Sequence, residues 1–242
     1  MAGRVAYYGG IVRDGLVLDL DAAKRDSYPK TGTVWSDISL STNIGIFNGG
    51  VTYSSDNGGT LIFNGNNAFV NISPAINLNL GTNDFTISVW LYLFGLPSGE
   101  VYPNSYWIFG TGPVNSTTST QCFIGASKFH FDLNTSYQGP FSASTADVNH
   151  GLAINNWYNI AVSRIGITFS VYVNGVVIGT GSSAQSAVNN YDWAICKPEP
   201  LPSTQTGYFY GKMQNFLVYN GKGLNSSEVL QNYNAVKGRF RL

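Results

Sequence analysis

A chain of 242 residues with 13 basic and 13 acidic side chains has no net charge, which argues against nucleic acid as a partner, because phosphate contact needs clustered Lys and Arg. Charged residues are scarce at 11 % and aromatics plentiful at 14 %, so Ser, Thr, Asn and Gly must supply solubility where a usual chain carries about 25 % charge. The opening MAGRVAYYGGIVRDG lacks a continuous apolar core of the secretory type, and no run approaches the ~20 apolar residues of a membrane span; a cytoplasmically made product with no membrane span is expected.

In chain order, Gly9-Gly10 offers a hinge after a short arm, so residues 1–14 read as an N-terminal arm and residues 15–242 as a single domain. GLVLDLD follows with Leu16, Leu18 and Leu20 on one face and Val17, Asp19 and Asp21 on the other, the period-2 pattern of a half-buried strand. The two aspartates are expected on a solvated face, with a metal or turn-anchoring pair as the sharper alternative. TLIFN and AFVNIS come next. DFTISVWLYLF begins in alternation and turns apolar on both faces through Trp90, Leu91, Tyr92 and Leu93, which fits a central strand covered on both sides. YWIFG, QCFIGA and KFHFDL add three more strands, the last with Phe129, Phe131 and Leu133 opposite Lys128, His130 and Asp132.

WYNIAVSR and ITFSVYV form a hairpin through Ile165 and Gly166, and a second turn at Asn174-Gly175 leads into VVIGT. Asn-Gly is a strong two-residue hairpin signal because both central positions take positive φ. YFYGKMQNFLVYN is the last strand. One helix is expected after it: Asn225 caps it, Glu228 completes a capping box, Leu224 staples to Val229, and Gly238 stops it. Val229, Leu230, Tyr233 and Val236 form the stripe that docks it. Many short strands, frequent turns and almost no helix indicate an all-β sandwich or jelly roll of two antiparallel sheets.

Catalytic parts are missing from the pattern. The three glutamates, Glu100, Glu199 and Glu228, have no acidic neighbour two residues on, so the Glu-x-Asp-x-Glu pattern of glycoside hydrolysis is missing, and the nearest carboxylate pair is Asp19 and Asp21 near the N-terminus. His130 and His150 read as ordinary surface histidines with no nucleophile tied to them. Cys122 and Cys196 sit in apolar runs and read as reduced buried thiols, with a disulfide as the alternative. No Cys-x-x-Cys or P-loop spacing occurs. The chain is expected to be no enzyme and to need no cofactor. Recognition falls to aromatics in and beside loops: Tyr102, Tyr106 and Trp107 at one, Tyr191 and Trp193 at another. Rings of this kind stack on sugar faces or anchor a protein partner; Trp90 and Trp157 are assigned to the core.

FTISVWLYL, WYNIAVSR with VYVNGVVIGT, and GKMQNFLVYNGKGLNSSEVLQNYNAVKGRF together resemble the laminin-G-like, concanavalin A-like jelly-roll domains. GGIVRDGLVLDLDAAKRDSYPKTGTVWSDIS, TYSSDNGGTLIFNG and the closing NYNAVKGRF resemble the single-domain members encoded by tailed phages, notably cyanophages. That resemblance implies a non-enzymatic virion surface protein, either a capsid decoration or a tail fibre component. It further implies a homo-oligomer whose partners are other virion proteins. The alternative is a glycan-binding adhesion module whose partner is a host surface glycan. Many relatives carry acidic residues where this chain has Asn66 and Asn67, which removes the charged oxygens calcium prefers.

Overall fold

The computed structural model describes residues 10–75, 77–100, 104–111, 120–133, 148–187, 192–197 and 207–242. The chain runs through β1 (Leu16–Asp21), β2 (Val34–Ser36), β3 (Ile44–Asn48), β4 (Thr52–Ser54), β5 (Thr60–Asn64), β6 (Phe69–Ser73), β7 (Phe85–Leu93) and β8 (Tyr106–Gly110). It continues with β9 (Thr120–Ile124), β10 (Lys128–Leu133), β11 (Val148–Asn149), β12 (Trp157–Ile165), β13 (Thr168–Val173), β14 (Val176–Ser182), β15 (Trp193–Ile195) and β16 (Tyr210–Asn220), and closes with the helix α1 (Ser226–Lys237). Two antiparallel sheets result, the all-β jelly-roll architecture that the alternation predicts. The first has the order β14-β13-β12-β7-β16-β5-β4, with β1 also paired to β16; the second has the order β11-β10-β9-β8-β15-β6-β3-β2.

The core lies between the sheets. β7 sends Phe85, Ile87, Val89, Leu91 and Leu93 inward and β16 sends Met213, Phe216 and Val218, because successive side chains alternate across a strand. From the second sheet Phe109, Phe131 and Trp193 meet them, with Trp193 stacked on Phe109 at 5.1 Å. β7 is central, as its two-sided apolar run predicts: β12 pairs with one edge and β16 with the other. The outer face of its first half lies under α1, where Leu217, Tyr219, Leu224 and Val229 form a second small core.

The Asn174-Gly175 turn forms as expected, with φ of 52° and 79°. In the hairpin before it the turn residues are Gly166 and Ile167, one place later than the sequence suggests, since Ile165 still pairs with Thr168. The short strands β2, β3 and β4 carry weak alternation and escape a reading by pattern. In β1 a bulge between Leu16 and Leu18 sends Leu16 to the cluster under α1 and Val17 toward the main core, a departure from the simple alternation. The helix has the predicted capping box, with the Asn225 side chain accepting from the Ser227 and Glu228 N–H groups. Its docking stripe is corrected at one place: Leu230 is 43 % exposed, and Asn232 is buried instead, where its amide donates to the Tyr219 hydroxyl at 2.9 Å.

Residues 1–9 of the expected arm lie outside the described residues. Gly10 to Val12 do not project. Val12 N–H donates to Asn232 Oδ1 at 2.8 Å, Gln231 donates to the Gly10 carbonyl, and the Tyr219 hydroxyl donates to the Val12 carbonyl. Cys122 and Cys196 are free and buried, and burial pushes both thiols well up.

Candidate functional site

Alternation along β7 points Trp90 and Tyr92 out of the sandwich, away from Leu91 and Leu93. The register then places Tyr92 between Trp157 of β12 and Lys212 of β16 as direct cross-strand partners. A strip of rings follows across the open part of this outer face. Trp157 lies 5.6 Å from Tyr92, Tyr92 5.7 Å from Phe94, and Phe94 5.2 Å from Tyr210. These are tilted or edge-on contacts with interplanar angles of 57°, 75° and 59°, the geometry aromatic quadrupoles prefer. None of the four rings is fully buried, and Tyr210 is 41 % exposed. Gly211 permits the close approach of β16 to β7 beneath the strip, since a Cβ there would lie 2.0 Å from the Tyr92 carbonyl and 2.9 Å from the Phe209 ring.

Polar groups border the strip. Lys212 Nζ sits 5.4 Å from the Tyr92 ring centre and 5.9 Å from that of Phe94, and it donates to Asp56 Oδ2 at 2.8 Å. The Asp56 carboxyl is held below its usual range by that bond. At the other side the Tyr92 hydroxyl donates to Asn155 Oδ1 at 3.3 Å. Gly95 lies at the end of the strip, where a Cβ would stand in ordinary contact, 3.6 Å from the Tyr210 ring and 3.7 Å from the Tyr106 hydroxyl. Burial, and secondarily Tyr210, raise the Tyr106 pKa. The face thus offers apolar ring surface flanked by a cation, a carboxylate, an amide and hydroxyls.

Of the residues the sequence singles out for recognition, Tyr106 of the second sheet packs its ring on Phe209 at the edge of the core and brings only its hydroxyl near the end of this strip. Tyr102 and Tyr191 lie outside the described residues. Trp107 and Trp193 do not serve as stacking platforms. Trp107 is 1 % exposed and stacks on Phe123 at 5.2 Å, while Trp193 is fully buried between the sheets; a ring covered on both faces has none left for a ligand. Of the tryptophans assigned to the core, Trp90 is sandwiched by Phe240 at 4.4 Å and Tyr233 at 5.5 Å, but on the outer face, under the C-terminus. Trp157 is half-buried at the head of the strip. Tyr92, Phe94 and Tyr210 were hidden within strand patterns, and only the polar spacing of YFYGK hints that Tyr210 and Lys212 share a face.

Both histidines are corrected from surface to interior. His130 stacks on Phe123 at 4.6 Å, with Nε2 3.5 Å from Glu100 Oε2. His150 is buried: Nδ1 accepts from Leu152 N–H at 2.9 Å and Nε2 faces the Gly125 carbonyl at 3.1 Å. These two contacts require the neutral Nε2–H tautomer, and burial lowers the His150 pKa.

The aspartates of β1 are likewise corrected. Asp19 and Asp21 are 1 % and 2 % exposed. Asp21 receives a two-pronged bond from Arg239 at 2.9 and 3.0 Å, which ties β1 to the chain end beyond α1. Asp19 Oδ2 accepts from Arg13 at 3.2 Å, and Lys24 Nζ lies 3.7 Å away. Burial raises the Asp19 pKa against the pull of Lys24. At the loop of Asn66 and Asn67, Asn64 Oδ1 accepts from the N–H groups of Asn66, Asn67 and Ala68, and Asn67 Oδ1 accepts from Asn64 Nδ2, which holds the loop closed. Among the described residues no helix is long and apolar enough to cross a membrane.

The family described as the concanavalin A-like lectin/glucanases superfamily matches residues 64–230. No curated protein sequence matches the chain. The fold resembles the binding domain of Paraclostridial Mosquitocidal Protein 1, at 18 % identity and a TM-score of 0.68 over 92 % of this chain and 52 % of that one. It also resembles domain 4 of AbnA, a GH43 extracellular arabinanase from Geobacillus stearothermophilus, in complex with arabinotriose, at 15 % identity and a TM-score of 0.61 over 92 % of this chain and 100 % of that one. A third likeness is to the binding domain of Botulinum Neurotoxin DC in complex with SialylT, at 15 % identity and a TM-score of 0.65 over 93 % and 52 %. The chain thus spans about half the length of the two toxin domains.

Proposed function

For a chain that belongs to the concanavalin A-like lectin/glucanases superfamily, we propose a non-catalytic saccharide-binding module that reads its ligand with the outer face of the first sheet. The observation that carries this reading is the half-buried strip Trp157–Tyr92–Phe94–Tyr210 with Lys212, Asp56 and Asn155 at its margins. A pyranose has an apolar face for a ring and equatorial hydroxyls for the flanking polar groups. The solved likenesses in complex with arabinotriose and with SialylT support the same class of ligand.

A binding role without catalysis is supported by four carboxylates that are engaged in structural bonds. Asp21 is held by Arg239 and Asp19 by Arg13. Glu100 accepts from Ser127 and Lys128, and Glu228 caps the helix. Glycoside hydrolysis needs two carboxyls facing one scissile bond.

Calorimetric titration with arabinan oligosaccharides, sialylated oligosaccharides and a broad glycan panel tests the reading. Tyr92→Ala should weaken the best ligand by about tenfold, the upper end of an aromatic contact, while Trp107→Phe should leave affinity unchanged. Absence of binding across the panel would reject it. The resemblance to phage virion surface proteins supplies a location for such a module. Mass spectrometry of purified virions tests that location, and failure to find the chain there removes the virion but not the saccharide.

A further inference from the structure

The strand register carries the ring strip into a row that crosses five strands. Trp157 of β12 stands opposite Tyr92 of β7, Tyr92 opposite Lys212 of β16, Lys212 opposite Ile62 of β5, and Ile62 opposite Thr52 of β4. Strands lie about 4.8 Å apart, so Lys212 sits at the middle of a row about 19 Å long. Its Nζ stands 5.4 Å from the Tyr92 ring centre and 5.9 Å from that of Phe94, so a ligand laid on either ring meets this ammonium. The ammonium is already engaged. Asp56, on the short turn Asp56–Gly58, accepts from it at 2.8 Å. The turn is fixed from two sides: Gln214 donates to the Asn57 carbonyl at 2.8 Å, and the Asn57 amide donates to the Arg239 carbonyl at 2.9 Å. Asp56 is thereby held against Lys212, yet its side chain stays 57 % exposed while that of Lys212 is 17 % exposed.

This pairing decides what charge the strip accepts. A lone cation over aromatic rings would attract carboxylates and sulfates. Here the carboxylate of Asp56 cancels it, and an acidic ligand that reaches Nζ must bring its own negative charge beside Asp56. Like charges at that separation repel, and the anion gives up hydration without compensation. A neutral hydroxyl meets no such opposition. An ammonium has three N–H donors and a carboxylate about four acceptor sites, and the Lys212–Asp56 bond uses one of each. The exposed pair can donate to one hydroxyl of a sugar and accept from the next. Ile62 and Thr52 continue the row without charge. We propose that the Lys212–Asp56 pair sets the specificity of the strip, admitting neutral saccharides and turning away acidic ones that carry sialyl, uronic or sulfate groups. That the ligand is a saccharide rests on the function proposed above; the charge preference rests on the pair.

The experiment is a calorimetric titration of the full chain with matched pairs of ligands: lactose and sialyllactose, galactan oligosaccharides and oligogalacturonides, and cello-oligosaccharides with and without sulfate. Within a pair that binds, the neutral member should bind more tightly by about fivefold, the scale of a partly exposed charge contact. Asp56→Asn, which keeps an acceptor on an exposed turn, should close or reverse that gap. The acidic ligand's gain should vanish in the double variant with Lys212→Gln, and should fade in Asp56→Asn as salt is raised to about 1 M, where charges are screened. An acidic member that binds the native protein as tightly as its neutral counterpart overturns the specificity, as does a gap that Asp56→Asn leaves intact; when Tyr92→Ala weakens the same binding, the saccharide function survives that result. Binding by no member of any pair, or binding that Tyr92→Ala leaves untouched, overturns the proposed function and the specificity with it.

Discussion

The aromatic residues divide by how many ring faces they have left. Trp90 lies between Tyr233 and Phe240, and Tyr210 keeps 41 % of its surface. Trp90→Ala should therefore cost about 3–5 kcal/mol in a denaturant titration, whereas Tyr210→Ala should change stability little and affinity more. Equal stability losses would contradict the assignment of Tyr210 to the binding face. His150 gives a pH-dependent prediction with a definite sign. Burial lowers its folded pKa below the ordinary value, so the folded state resists the proton. Stability is then full above the unfolded pKa of about 6.5 and falls as pH drops through that value toward the folded one. Protonation at Nδ1 also breaks the bond from Leu152 N–H. His150→Gln should flatten the stability profile between pH 7 and 5, and an unchanged slope would show that another group sets it.

Helix α1 tests the capping box as a unit. Asn225 accepts two N–H groups and Glu228 returns a bond to the Asn225 N–H. Asn225→Ala should cost about 1 kcal/mol, read as a shift of the urea midpoint. For Glu228, burial acts to raise the pKa, but the Lys222 ammonium and the Asn225 N–H outweigh it and the net shift is downward. Its contribution is present above the ordinary carboxylate pKa and is lost as pH falls through the lower folded value. Hydrogen exchange in the first turn of α1 should accelerate there in the native chain, with a weaker pH response in Glu228→Gln. The helix was legible residue by residue because caps are local hydrogen bonds. Its docking face was less so: Asn232 replaces Leu230 as a buried contact, since the hydroxyl of Tyr219 beneath offers a partner that apolar periodicity does not register.

The first strand and the segment after the helix meet at one place. Arg239, just past α1, binds Asp21 of β1 and Gln214 of β16, while Asn57 donates to the Arg239 carbonyl. Arg239→Ala should remove the two-pronged bond from a buried carboxylate, leaving it Lys24 at 3.6 Å and the Ala23 N–H, and cost about 1.5–3 kcal/mol, the range for hydrogen bonds to a charged group. The partial exposure of Arg239 keeps the figure below that of a fully buried pair. Asp21→Asn in the Arg239→Ala background should recover part of the loss, because the buried charge is gone. A double variant no more stable than Arg239→Ala would show that the loss comes from packing.

The architecture was readable from the chain alone. Period-2 alternation, Asn174-Gly175 and the Asn225–Glu228 box each depend on neighbours close in sequence, and hydrophobic patterning assigns one face of a strand to the core without reference to its partners. Which polar face meets solvent depends on what covers it, and that is set by distant segments. Asp19, Asp21 and His130 look solvated in alternation and His150 looks like a surface loop residue, yet all four are buried because Arg239, Glu100 and Gly125 come from elsewhere in the fold to meet them. The ring strip has the same origin. Trp157, Tyr92 and Tyr210 come from three strands far apart in sequence, and the register of β12, β7 and β16 makes them neighbours, whereas Trp107 and Trp193, conspicuous in their local runs, are enclosed by packing that no local pattern reveals.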